Sequence, residues 1–291
     1  MKKALVLGGT KFFGTFLVQS LLDKGFEVTV ATRGLTKDSL GDSVKRVICD
    51  RSVEQSLINC FENTQWDIVF DQICYSSEDA RIAIKAFEGK TDRYIVTSSQ
   101  SVYVETKTEP LVEEDYNPYR KRIVYASRED LSYEEGKQQT EAVLFQQAPF
   151  PVTAVRIPIV LGEKDYTERL LTYIKKVKYN EDIFLTNPQS AELNFISEQE
   201  AGHFLAWMGT ADFTGPINAC SIGSITLQDL MDLIEDATNQ KVNYTSEPSY
   251  SPYNVEEPWT MSASKATKLG YSFSNLMDWL PDLIRKLEKK V

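Results

Sequence analysis

The chain has 291 residues, 42% hydrophobic and 25% charged, ordinary values for a globular protein long enough for one large or two medium cores. Its net charge of −10 argues against a nucleic-acid partner, which requires a basic face. No apolar run approaches the ~20 residues that cross a bilayer, and the first one stops at Gly8, too short for a secretory signal, so no membrane partner is expected. Cys49, Cys60, Cys74 and Cys220 follow neither zinc-site nor disulfide spacing. We therefore expect a cytoplasmic protein with reduced thiols and no metal. His203 is the only histidine and lies in a helix-like segment, which leaves little scope for histidine-based hydrolysis or multi-imidazole zinc sites.

In chain order, β-rich runs at 4–8, 27–31, 44–49, 67–72, 93–99 and 152–158 alternate with helical patterns at 12–24, 53–62, 78–88 and 132–147. This alternation predicts an α/β fold with a doubly wound parallel sheet of the Rossmann type. After about Gly162 the rhythm breaks into helical segments at 166–178, 199–208 and 226–240. A short run near 215–221 is expected to return to the first sheet. The division is thus 1–162 for the Rossmann unit and 163–291 for a smaller, interleaved C-terminal α/β part. The Tyr- and Pro-rich stretch 246–259 reads as a packed surface loop, with a ligand cover as the alternative.

The first strand runs into "LGGTKFFG", a glycine turn followed by a helix beginning near Phe12. Strand, glycine turn and helix N-terminus together form a cradle for a dinucleotide pyrophosphate. Gly8, Thr10, Lys11, Phe12, Phe13 and Gly14 are its candidate contacts. The alternative for Gly8-Gly9 is a plain strand-to-helix turn. The second strand ends "ATRG", with Thr32 and Arg33 where an NAD-preferring site places an acid. Arg33 and Lys11 together suit a 2′-phosphate, which favours NADP(H) over NAD(H). The alternative is two solvated basic side chains.

Two Tyr-x-x-x-Lys spacings occur. Tyr103–Lys107 lies in a polar stretch without helical period. Tyr133–Lys137 follows a Ser132/Glu135 capping box and opens a helix, which puts both side chains on one face. A lysine so placed favours the phenolate, and the phenol can then exchange a proton with a substrate oxygen.

Residues 7–14 resemble the glycine loop of the extended short-chain dehydrogenase/reductases, the NAD-dependent epimerase/dehydratase family. Gly8 and Gly14 match, and Lys11 replaces the middle glycine, as in the branch resembling the chloroplast stem-loop-binding proteins and their bacterial relatives. The resemblance implies that Ser99, in "YIVTSSQSVY", joins Tyr133 and Lys137 as a catalytic set, with Lys137 also holding the cofactor ribose. It implies cofactor roles for Asp50, with Arg51 beside it, and for Pro158 in "AVRIPIVLG". Substrate contacts are expected from Ser99, Arg156 and Asn194, with Arg169 a further candidate. Gln100 and Ser101 stand where dehydratases of the family carry Asp-Glu, which argues against sugar dehydration. The implied activity is an NAD(P)-dependent oxidoreductase or epimerase, an isomerase in the latter case. It would act on a hydroxyl or ketone of a small-molecule substrate, nucleotide sugars being one class. A homodimer through 78–88 and 132–147 is a further implication. Two other readings stay open: a non-catalytic NADP(H)-binding redox sensor and an RNA-associated protein. The insertion over 104–130 has no assigned role.

Overall fold

The computed structural model describes residues 1–106, 108–253 and 255–291. Its first half runs β1 (Lys3–Leu7), α1 (Phe13–Asp23), β2 (Glu27–Thr32), β3 (Lys45–Ile48), α2 (Glu54–Phe61), β4 (Ile68–Asp71), α3 (Ser77–Phe87) and β5 (Tyr94–Ser99). It continues through α4 (Tyr133–Gln147), β6 (Val152–Ile157) and β7 (Ile159–Leu161). Next come α5 (Arg169–Lys178), β8 (Asp182–Ile183), β9 (Glu192–Leu193), β10 (Phe195–Ser197), α6 (Glu198–Met208) and β11 (Gly215–Asn218). Beyond these lie α7 (Leu227–Thr238), α8 (Ser264–Lys268) and α9 (Leu276–Glu288). Each strand and helix expected before Gly162 is present, with ends displaced by one residue at most positions.

Seven strands form one sheet in the order β11-β6-β5-β4-β1-β2-β3, and every pairing in it is parallel. β4, β5 and β6 are buried at every position, as strands covered on both faces must be. Val6, Val18, Leu21, Ile95, Phe204 and Leu205 pack one face beneath α1 and α6. Leu5, Val69, Ala83, Phe87, Val96 and Val143 pack the other beneath α2, α3 and α4. The returning strand expected near 215–221 is β11, which pairs with β6 from Gly215 opposite Thr153 to Asn218 opposite Arg156.

The strand order reverses between β1 and β4, whose onward connections part to opposite faces above their paired carboxyl ends, the place where open α/β sheets bind ligands. The C-terminal elements bury a core of their own, in which Leu170, Tyr173, Leu230, Ile234, Leu280 and Ile284 meet from α5, α7 and α9. Tyr253, from the Tyr- and Pro-rich stretch, is buried in this core against Tyr173 and Phe195. That stretch is therefore anchored by an aromatic plug.

α4 departs from the expected amphipathic helix. Its residues 136–144 are all buried, including Lys137, Gln138, Gln139, Thr140 and Glu141. The reason is the insertion, which lays its backbone along the helix. Gln139 donates to Arg122 O and accepts from Val124 N, and Gln146 donates to Pro118 O and Lys121 O. The Ser77 hydroxyl of α3 donates to Val124 O. Side-chain amides of α4 thus stand in for the backbone partners that an irregular segment lacks.

Beneath them Arg156 and Glu141 form an ion pair in which both side chains are wholly buried, at 2.6 Å. The guanidinium also donates to Tyr103 Oη, Glu113 O and Tyr116 O, so its donors are spent inside the protein. Removing one partner of such a pair leaves a buried charge uncompensated. Glu141→Gln is expected to cost about 3 kcal/mol of unfolding free energy, measured by urea denaturation. A loss under about 1 kcal/mol would contradict this structural role.

Candidate active site

The glycine loop sits at the carboxyl end of β1, where Gly8 N–H donates to Ala31 O and continues the sheet by one bond. Gly8 and Gly9 have φ of 92° and 84°, a region closed to side-chain-bearing residues without strain. Gly14 is required by proximity: a Cβ there would stand 2.8 Å from Gly9 Cα and 2.4 Å from Gln72 Oε1. Lys11, in place of the middle glycine, is exposed and opposes no such contact.

α1 starts without a side-chain cap and with no acid in its first turn. By contrast, Ser76, Ser132, Ser197 and Thr226 cap α3, α4, α6 and α7. Gly14 and Thr15 N–H turn back to Lys11 O and Phe12 O, so what the first turn of α1 leaves uncompensated by any side chain is its positive dipole end.

In front of this loop lies a cavity of about 800 Å³, walled by the ends of β1 to β4. Gly8, Thr10, Lys11, Phe12, Phe13, Arg33, Asp50 and Arg51 all line it, so eight of the expected cofactor residues converge. Gly14 backs the loop rather than lining the space. Ser52 O–H donates to the Asp50 carboxylate at 2.6 Å and holds its pKa below the usual carboxylate range, with a smaller contribution from Arg33. Asp50 is thus a fixed anion at one end of the cavity.

Arg51 lines the cavity but is bonded to the protein itself. Its Nε and Nη2 donate to Asp71 Oδ2, and Nη1 donates to Asp79 O and Oδ1. It ties the end of β4 to the start of α3 and forms wall rather than ligand. Arg156 and Asn194, expected as substrate contacts, are likewise bonded to the protein itself. Arg156 belongs to the buried pair with Glu141, and Asn194 exchanges two hydrogen bonds with the Met261 backbone. Pro158 is buried between β6 and β7 and does not line the cavity. Arg169 is half-buried and donates to Thr167 Oγ1.

The serine, tyrosine and lysine gather at the ends of β5 and α4. Tyr133 is the first residue of α4, half exposed, after a capping box in which Ser132 and Glu135 exchange bonds. Gly136 lets the helix approach closely, since a Cβ there would be 2.2 Å from Tyr75 O. Lys137 enters at that point and is only 2% exposed. Its Nζ donates to Cys74 O at 2.9 Å and Thr97 O at 2.8 Å, beyond the ends of β4 and within β5. Ser99 ends β5 two residues later, accepts from Ser101 N and donates to Ser101 Oγ.

An ammonium has three donors, and two of Lys137's are taken by carbonyls. The Tyr75 ring packs on its remaining side, 4.3 Å from Nζ to the centroid, and the Tyr133 ring lies 5.9 Å away. Arg128, from the insertion, lies 4.2 Å from the same Tyr75 ring. Burial pushes the Tyr75 phenol up, so it is neutral near pH 7. Because Tyr75 lines the cavity and touches Lys137, it joins the glycine-loop space to the Ser99/Tyr133/Lys137 group. None of the three lines the cavity itself.

Sequence reasoning passed over Tyr75, Gln72, Arg128 and Tyr166. Tyr166 packs edge-on against Phe12, with Lys11 Nζ 5.9 Å from its centroid. Tyr75 and Gln72 follow β4 on the carboxyl side of the sheet, and that position alone was a usable signal. Arg128 and Tyr166 come from loops distant in sequence, which no local pattern connects to the site. Tyr103, of the other Tyr-x-x-x-Lys spacing, is buried and bonded to Asn218 and Arg156, while Lys107 lies outside the described residues. His203 is exposed on α6, edge-on to Phe16. Among the described residues, no group of three or more His, Cys, Asp and Glu side chains could hold a metal ion. No helix among them is long and apolar enough to cross a membrane.

Known proteins resemble this chain in sequence and in fold. The chain is 26% identical over 212 residues to the chloroplast stem-loop binding protein of 41 kDa b from Arabidopsis thaliana, covering 68% of this chain but only 53% of that protein. It is 23% identical over 292 aligned positions to CDP-abequose synthase from Salmonella muenchen, covering 93% of this chain and 92% of the synthase. Among solved structures, the Thermotoga maritima UDP-glucose 4-epimerase with UDP-glucose superposes with a TM-score of 0.79 at 16% identity, covering 99% of both chains. The Thermus thermophilus UDP-glucose 4-epimerase in complex with NAD gives 0.77 at 16% identity, covering 99% of this chain and all of that one. These structural likenesses establish the shared fold. The sequence also matches the profile of the NAD dependent epimerase/dehydratase family over residues 4–218, and the chain belongs to that family.

Proposed function

We propose that the protein is an NADP(H)-dependent oxidoreductase or epimerase that acts on a hydroxyl or ketone of a small molecule. The observation that carries this reading is Lys137, buried, oriented by two carbonyls and packed against the Tyr75 ring that lines the cavity, with the Tyr133 ring beside it. The cavity's features suit a dinucleotide: glycines that a Cβ would block, an uncapped α1 and a clear crevice at the strand-order reversal. When bound, the nicotinamide would supply or accept a hydride.

The chain's own residues then divide the remaining work. Lys137 binds the ribose with the donor that now faces Tyr75. Tyr133 takes the proton of a substrate hydroxyl in oxidation and returns it in reduction. Ser99 fixes and polarises the same oxygen. Nucleotide sugars are one candidate substrate class, since the UDP-glucose and CDP-abequose proteins above act in that chemistry by name.

Two experiments test the reading. Against a panel of carbonyl compounds and nucleotide sugars, Tyr133→Phe should lower turnover at least about a hundredfold while NADPH affinity stays within twofold. Equal turnover would refute the mechanism. Lys11 and Arg33 both reach the cavity, and the double change Lys11→Gly with Arg33→Asp should weaken NADPH binding about tenfold more than NADH binding. Equal losses, measured by titration calorimetry, would remove the 2′-phosphate role.

A further inference from the structure

We propose that the Gln72 side-chain amide, turned about its Cγ–Cδ bond so that Nε2 takes the place Oε1 holds against the glycine loop, donates a hydrogen bond to the pyrophosphate of the bound dinucleotide. This deepens the cofactor reading above and rests on it. Gln72 follows β4 directly, and its backbone N–H donates to Leu7 O, so its position is fixed by the sheet. The residue is 8% exposed and lines the cavity.

Its two amide atoms have different surroundings. Oε1 lies against the glycine loop, 2.4 Å from where a Gly14 Cβ would stand and 3.9 Å from a Gly8 Cβ. Nε2 is buried and has no hydrogen-bond partner. Proteins retain few buried donors of this kind, because such a group has lost water and gained nothing in return. Packing alone would be served by a methionine of similar length without that penalty.

The surroundings specify the missing acceptor. Gln72 abuts Gly8 and Gly14, beside an α1 whose first turn has neither a cap nor an acid. The positive dipole end, with no side chain to neutralise it, favours an anion at that place. An amide donor added from the end of β4, directly beside the loop, suits a diphosphate held over the two adjacent strand ends. It recognises the phosphate rather than the adenine or the nicotinamide, so its contribution is the same for NADPH and for any fragment that keeps the pyrophosphate.

The test compares Gln72→Met and Gln72→Glu with wild type, using calorimetric titration of NADPH, ADP-ribose and adenosine 2′-monophosphate and the melting temperature of the ligand-free protein. We expect Gln72→Met to melt at or above the wild-type temperature, because an unpaired buried donor has been removed. Its affinity for NADPH and ADP-ribose should fall about tenfold to a hundredfold, while that for adenosine 2′-monophosphate, which has no pyrophosphate, stays constant. Gln72→Glu should lose more on both diphosphates. A methionine variant that melts lower and binds both diphosphates as wild type does would overturn the proposal and make Gln72 a packing residue. Wild-type protein that binds none of the three ligands would instead overturn the cofactor reading, and this inference with it.

Discussion

The site depends on the burial of one ammonium. Lys137 lies within α4, and its Nζ is bonded to Cys74 O beyond β4 and to Thr97 O in β5. A buried charge without partners would be strongly disfavoured. Here two carbonyls and an aromatic face replace water, so the ammonium fixes three elements relative to one another. The close approach at Gly136 and the Ser132/Glu135 cap place α4 so that Tyr133 and Lys137 arrive together. Tyr75, which lines the glycine-loop cavity and packs on Lys137, then joins the cavity to the start of α4.

That burial extends along α4 and explains the insertion. A helix presenting Lys137, Gln138, Gln139, Thr140 and Glu141 inward needs partners on every side. The segment around 113–126 supplies backbone groups, while Arg156 from β6 neutralises Glu141. Arg51 plays a similar part on the other side of the crevice, tying β4 to α3 through Asp71 and Asp79. Two arginines that look like ligand contacts in the sequence are therefore used to hold the scaffold under the site. What remains free to meet a ligand is a smaller set, and Lys11, Arg33 and Gln72 belong to it.

The framework was legible because its signals are local. Strand-helix alternation, Gly8 and Gly9 before α1, and the capping box before Tyr133 each act within a few residues, and they located the sheet, the loop and the start of α4. The roles of Arg51, Arg156 and Asn194 were not legible, because a charged or amide side chain looks the same whether its partner is a ligand or a buried acid contributed from far along the chain. The inward polar face of α4 was hidden for the same reason: its partners lie in an irregular segment that carries no periodicity. Tyr75 shows the complement, a residue with an ordinary local context that becomes central because β4 ends beside Lys137.

The central claim is that Lys137, now covered by Tyr75, is the ribose-binding end of a dinucleotide site that starts at the glycine loop. A crystal structure of the protein with NADPH tests it most directly. The account predicts density for the pyrophosphate at Gly8–Phe13, the nicotinamide ribose on Lys137 Nζ, and the Tyr75 ring moved off the ammonium. A dinucleotide bound with Tyr75 still packed on Lys137 and the nicotinamide directed away from Ser99 and Tyr133 would contradict it.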